Sequence, residues 1–231
     1  ALVPLTDPVM AQNIYDTPAF FAGYSQLPRQ TQGLAGAPEW PSLRAMLPVL
    51  AGKRVVDLGC GFGWASRWMR EQGAASVLGL DLSQNMLNIA RANVAKAGLD
   101  KVELRHGDIF ATRLPENSAD LVLVHQVLHY LADPAAAVAE AARLVMPGGK
   151  LLIVDFAPHQ LEHLREAHQH RRLILARLAV RTDAVGHDED RRQVDHRAQH
   201  VHRAQAFNHK LPASPWSVQW IRVEPRRSLM L

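Results

Sequence analysis

The sequence predicts an α/β fold, a doubly wound and mostly parallel sheet with helices on both faces. Three observations predict it. The short β-branched run Val55-Val56-Asp57-Leu58 leads directly into glycines at 59, 61 and 63. A second apolar run, Ser76–Leu80, leads into Asp81. From Lys53 to Phe156 such runs alternate with segments of helical period.

Each element follows from its residues. Glycines at 59, 61 and 63 let the chain turn sharply after the first strand and let a ligand approach the backbone. A helix from about Gly63 then points its free N–H groups at whatever lies over the turn. Trp64 and Trp68 stand at i and i+4 on that helix, which stops at Gly73. After the second strand, Ser83 caps a helix carrying Met86, Ile89, Ala90 and Val94 on one face. Gly98 ends it, with Leu99 following. Val102–Arg105 is the third strand and leads into His106-Gly107-Asp108-Ile109; Leu121–Val124 is the fourth. Asp133-Pro134 opens an alanine-rich helix. Met146-Pro147-Gly148-Gly149 breaks the chain before a fifth strand, Lys150–Phe156.

Composition narrows the class. A chain of 231 residues that is 48% hydrophobic supplies a sizeable core for one α/β unit. One cysteine allows no intrachain disulfide and fits a cytoplasmic protein. No apolar run approaches the roughly 20 residues of a membrane span, and no secretory signal is visible at the start. Charge is uneven: residues 171–231 carry 12 Lys and Arg against 6 Asp and Glu, so the net +4 of the chain comes from its last quarter.

The glycine turn and the two aspartates describe a nucleoside site at the carboxyl edge of the sheet. Asp81 is placed to accept two ribose hydroxyls. The spacing is D-x-G-x-G-x-G rather than the G-x-G-x-x-G of dinucleotide sites. A carboxylate at Asp57 repels a pyrophosphate but suits an ammonium or sulfonium group.

This pattern resembles the first motif of class I S-adenosylmethionine (SAM) methyltransferases of the small-molecule, type 11/25-like kind. Three more segments resemble the family in the same order: Gly107-Asp108-Ile109, the run Asp120–Val124 with His125-Gln126-Val127-Leu128-His129, and Pro147-Gly148-Gly149. The resemblance implies a Rossmann-like sheet, SAM as cofactor, and methyl transfer to a small-molecule acceptor by in-line displacement. It assigns Asp57, Gly59, Gly61 and Gly63 to the methionine end and Asp81 to the ribose. Asp108 goes to the adenine amino group, with Ile109 on the ring. Cys60 and Leu82 belong to the same two turns, Cys60 as a small packing residue rather than a nucleophile. In related enzymes the segment before the first strand lids the site. Tyr15, Tyr24 and Arg29 are then candidates to reach the ligand, Arg29 by a bidentate contact with the ligand's carboxylate. Surface packing is the other reading of Arg29, and packing is favoured for the tyrosines and Trp40.

An acceptor that must lose a proton needs a base. His125 and His129, at i and i+4 after the fourth strand, where a helical turn puts both on one side, are the candidates, His125 first and Tyr130 a weaker option. No metal is expected: Glu162, His163, Glu166, His168 and His170 form a polar face, and His196, His200 and His202 lack a nearby cysteine.

The chain divides into residues 1–40, an N-terminal lid or extension; 41–173, the SAM-binding core; and 174–231, a basic low-complexity tail. In the tail His196-Arg197-Ala198-Gln199 recurs as His202-Arg203-Ala204-Gln205, and only Trp216–Val223 alternates like a strand. The expectation is a disordered or out-of-frame tail, which leaves the sheet short of its two terminal strands. Two rival functions share these residues. One is a nicotinamide-dependent oxidoreductase; the other is a non-catalytic SAM- or nucleic-acid-binding protein using the basic tail, with nucleic acid the less favoured partner.

Overall fold

The computed structural model describes residues 14–156, 204–210 and 216–223. Five parallel strands form the centre: β1 (Arg54–Leu58), β2 (Ser76–Asp81), β3 (Val102–His106), β4 (Ala119–His125) and β5 (Val145–Phe156). Six helices are α1 (Pro18–Ser25), α2 (Pro28–Thr31), α3 (Trp40–Met46), α4 (Trp64–Glu71), α5 (Gln84–Lys96) and α6 (Pro134–Leu144). Two further strands, β6 (Ala204–Lys210) and β7 (Trp216–Val223), complete a seven-stranded sheet in the order β3-β2-β1-β4-β5-β7-β6.

Alternate residues of the central strands feed two separate cores, as a period of two requires. Val56, Leu58, Val122, Val124, Leu151 and Ile153 pack with Ala137, Val138, Ala141 and Leu144 of α6. Val55, Val77, Leu121, Leu123, Leu152 and Val154 pack with Ala65 and Met69 of α4 and with Trp40 and Leu43 of α3. Burying each such aliphatic side chain contributes about 1.5–3 kcal/mol. The N-terminal helices thus form part of a core layer. The capping signals are in place. Ser83 Oγ accepts from Met86 N at 3.2 Å, and Asp133 Oδ1 accepts from Ala136 N at 3.0 Å. Each such cap contributes about 1 kcal/mol.

Two expectations are corrected. The Met146–Gly149 segment lies inside β5 rather than before it. Ala119 pairs with Val145 but Leu121 pairs with Lys150, so the extra residues leave the ladder as a bulge. Gly148, at φ 82°, supplies the left-handed backbone that this needs. The sheet is also not short at its C-terminal edge. β7 runs antiparallel beside β5, from Lys150 opposite Arg222 to Phe156 opposite Trp216, and β6 pairs with β7. Backbone pairing with β7 needs only a chain in extended conformation, so Ala204–Lys210 forms a strand despite its weak alternation. The rest of the 174–231 tail, and the histidines at 163, 168, 170, 196, 200 and 202, lie outside the described residues.

Candidate active site

The carboxyl ends of β1, β2 and β4 and the N-terminal helices enclose a cleft of about 1080 Å³, open solvent included. Its floor is the turn after β1. Gly59 N–H and Cys60 N–H both donate to Leu80 O, at 2.7 and 3.1 Å, tying this turn to β2. Gly59 sits at φ 75°, and a Cβ there would overlap the Val127 side chain, so only glycine fits. Gly61, at φ 53°, faces open space. Gly63 does not line the cleft: it is the N-cap of α4, and a Cβ on it would stand 3.1 Å from Ala90 Cβ. Its role is the close approach of α4 and α5.

Two carboxylates face this floor. Asp57 is buried and accepts from Ser66 Oγ at 2.6 Å. Burial pushes its carboxyl up to about 6, although the Ser66 hydrogen bond and the nearby His125 oppose the rise. Asp81 accepts from Gly61 N at 2.8 Å and from Ser83 N at 2.9 Å. Burial raises its carboxyl too, against those two amides. Neither carboxylate has an ion-pair partner among the described residues. A buried anion without a counter-charge is costly, so this floor favours a bound cation.

The remaining candidates separate. Cys60, Leu82 and Ile109 line the cleft. Burial holds the Cys60 thiol well above its ordinary value, which suits a packing residue. Asp108 does not line the cleft; its Oδ1 accepts from Phe110 N at 2.9 Å and closes the turn that presents Ile109. Tyr24 and Arg29 line it from the N-terminal helices, with Tyr15. All three tyrosines of the chain meet there. The Tyr15 ring stands edge-on to Tyr24 at 5.0 Å and to Tyr130 at 5.4 Å. Burial raises all three phenols, so they act as hydroxyl donors at neutral pH.

His125 and His129 do not share a face, because β4 runs through His125 and only Leu128–Tyr130 forms a 3-10 turn. His125 lines the cleft, and its Nε2 lies 2.9 Å from Glu39 Oε1. His129 is 2% exposed, and its Nδ1 lies 2.6 Å from Asp155 Oδ1 in the core. Asp155 Oδ2 also accepts from Leu128 N at 2.8 Å. The expected pairing of the two histidines on one side is therefore corrected.

Sequence reading missed several residues. Buried Glu39 gathers Arg29, His125 and Gln126 on its single oxygen Oε1. Burial pushes its carboxyl up, but the His125 hydrogen bond and the Arg29 charge outweigh that and hold it below its ordinary value. No local pattern marks a residue 86 positions from its histidine. Gln126 takes a left-handed φ of 58°, unusual for a side-chain-bearing residue, and this strain sits at the cleft wall. Asp16 accepts from Ser83 Oγ at 2.5 Å and fastens the N-terminal segment to α5. Gln30 Oε1 and Trp64 Nε1, on two lining residues, are buried without hydrogen-bond partners among the described residues. One acceptor and one donor are thus left for a bound polar group. No group of side chains suited to hold a metal occurs among the described residues, and none of their helices is long and apolar enough to cross a membrane.

Comparison with known proteins gives a consistent answer. Residues 56–153 match a family model described as a methyltransferase domain. The ubiquinone biosynthesis O-methyltransferase of Aromatoleum aromaticum is 41% identical over 104 residues, 44% of this chain and 43% of that one. The 27-O-demethylrifamycin SV methyltransferase of Amycolatopsis mediterranei is 33% identical over 115 residues, 49% of this chain and 42% of that one. The crystal structure of an S-adenosylmethionine dependent methyltransferase from Mesorhizobium loti superposes with a TM-score of 0.50 at 46% identity, covering 55% of this chain and 56% of that one. The chain spans less than half the length of these two curated relatives.

Proposed function

We propose, on the premise that residues 56–153 are a class I methyltransferase domain, that the protein transfers a methyl group from SAM to a small-molecule acceptor. The observation that carries this reading is the pair of carboxylates, buried Asp57 and half-buried Asp81, on a glycine-rich floor without cationic partners among the described residues. The residues present fit the cofactor. Asp57, Gly59 and Gly61 border the methionine end, where an ammonium and a sulfonium offset the Asp57 charge. Gln30 Oε1 and Trp64 Nε1 offer the zwitterion one acceptor and one donor. Asp81 is directed at the ribose, and Leu82 and Ile109 supply apolar walls for the adenine.

When bound, SAM supplies a methyl group already activated on a sulfonium, and its departure leaves a neutral thioether. The chain therefore contributes mainly proximity and orientation. Tyr15, Tyr24 and Tyr130 exclude water above the floor. Arg29 reaches the cleft from α2 and remains tied to Glu39. His125, at the end of β4 and close enough to Asp57 to lower its carboxyl, stands at the acceptor end. His129, paired inside the core, serves the fold.

Support for a small-molecule acceptor comes from the relatives, whose names specify ubiquinone biosynthesis and 27-O-demethylrifamycin SV. A nicotinamide dinucleotide would set its pyrophosphate against two carboxylates, which disfavours that alternative. Calorimetry with SAM, its demethylated product S-adenosylhomocysteine and NAD tests the reading. Binding of the first two without NAD supports it. Micromolar NAD binding with no detectable SAM binding overturns it.

A further inference from the structure

Glu39 does not line the cleft, yet all three side chains bonded to it do: Arg29, His125 and Gln126. It is 1% exposed and sits at the start of α3, packed beneath the cleft wall. Its Oε1 receives the guanidinium of Arg29, Gln126 Nε2 at 2.7 Å, and His125 Nε2 at 2.9 Å; its Oε2 has no partner among the described residues. An ionised carboxylate only accepts, so His125 must carry its proton on Nε2. Nδ1 is then the nitrogen with a free lone pair, and it makes no hydrogen bond among the described residues.

We infer that Glu39 is a positioning residue that fixes His125 as the Nε2–H tautomer and so presents Nδ1 to a hydroxyl-bearing acceptor. The inference rests on the methyltransferase reading above and assigns the acceptor class. A hydroxyl must shed its proton as it is methylated, and a cleft-lining base with one free lone pair matches that need. An amine acceptor would call for a free carboxylate near the methyl group. On the reading above the cleft carboxylates serve the cofactor instead, Asp57 at its methionine end and Asp81 at its ribose. In the step itself the acceptor oxygen bonds to the methyl carbon, the carbon–sulfur electron pair stays on sulfur, and the hydroxyl proton moves to His125 Nδ1. The imidazolium so formed faces Glu39, with Asp57 nearby, so two carboxylates balance the two cations, Arg29 and the imidazolium. One carboxylate thereby aligns the group facing the cofactor end and the group facing the acceptor.

The experiment is nitrogen-15 NMR of the His125 ring, in the protein alone and saturated with S-adenosylhomocysteine. The expected wild-type result is the Nε2–H tautomer in both. E39Q keeps an accepting oxygen and should keep that tautomer, whereas E39A should give a mixture. The second readout is the absorption of bound 4-nitrocatechol, which reports its ionisation. The phenolate-to-phenol ratio should fall about tenfold in E39Q, the loss of one charge-assisted hydrogen bond. S-adenosylhomocysteine affinity should change less than about threefold. An Nδ1–H tautomer in the wild type, or an unaltered Nε2–H tautomer in E39A, overturns the role of Glu39. Failure of 4-nitrocatechol to bind, or an equal phenolate fraction in wild type and E39Q, overturns the hydroxyl assignment. Should E39A not fold, the wild-type tautomer and the E39Q titration still decide. Absence of S-adenosylhomocysteine binding to the wild type instead overturns the cofactor reading, and calorimetry detects that separately.

Discussion

Two histidine–carboxylate pairs flank the end of β4, and they differ in almost everything but chemistry. His129 and Asp155 are both sealed in the core, and Asp155 also holds the Leu128 amide. His125 and Glu39 form a pair with one open side: Glu39 is buried, but His125 is 13% exposed and lines the cleft. Asp155 uses one oxygen for His129 and the other for the Leu128 amide, so the sealed pair pins the turn that carries Tyr130. The open pair leaves one imidazole nitrogen for the cleft and one carboxylate oxygen without a partner among the described residues. What separates the two histidines is access, since His125 lines the cleft and His129 is closed in the core, not their residue type or their distance along the chain.

The sharpest way to break this comparison is to remove one member of the sealed pair. Asp155→Ala strands a buried imidazole and a buried amide and should cost about 3–5 kcal/mol of stability. Denaturant unfolding measures it, and a loss under 1 kcal/mol would mean the pair is not the clamp described. His125→Ala should do the reverse. Stability and SAM affinity should stay close to wild type, while methyl transfer to a hydroxyl acceptor falls about a hundredfold, or about 2.7 kcal/mol in the barrier. Full activity would reduce His125 to a wall residue.

The cofactor floor sharpens the contrast from the other side. Asp81→Ala should weaken SAM by about 1.5–3 kcal/mol, roughly ten- to a hundredfold, as charge-assisted hydrogen bonds are lost. An unchanged dissociation constant in calorimetry would remove Asp81 from the ribose. The smallest effect expected is on pH. Asp57, raised to about 6, is protonated in part below that value. A cation binds its ionised form, so SAM affinity should rise from pH 5 to pH 7 by about tenfold and then level. Asp57→Asn should flatten that profile. The same shift acts on folding with a definite sign. The folded protein holds this proton more tightly than the unfolded chain, so the Asp57 contribution to stability falls as pH rises from about 4 to about 6.

Much of this site can be read along the chain because it is local. The turn from Gly59 to Gly63, the cap at Ser83 and the aspartates that end β1 and β2 each depend on a few consecutive residues, and each occupies its expected place. Cys60, Leu82, Ile109, Tyr24, Arg29 and His125 also line the cleft as expected. Gly63 and Asp108 lie outside the cleft lining, Gly63 packed against Ala90 and Asp108 closing the turn that presents Ile109. The terminal strands were harder to read. β7 is stabilised by backbone pairing with β5, and the edge strand β6 by pairing with β7, which leaves little trace in composition.

The sequence by itself determined the α/β class, the parallel order of helices and strands, and the acidic glycine turn, because periodicity and backbone conformation act over a few residues. Tertiary structure alone decided which histidine meets the cleft, which is sealed, and that Glu39 joins His125 to the N-terminal helices. A hydrogen bond between residues 86 apart depends on how the layers dock, and no local preference encodes that.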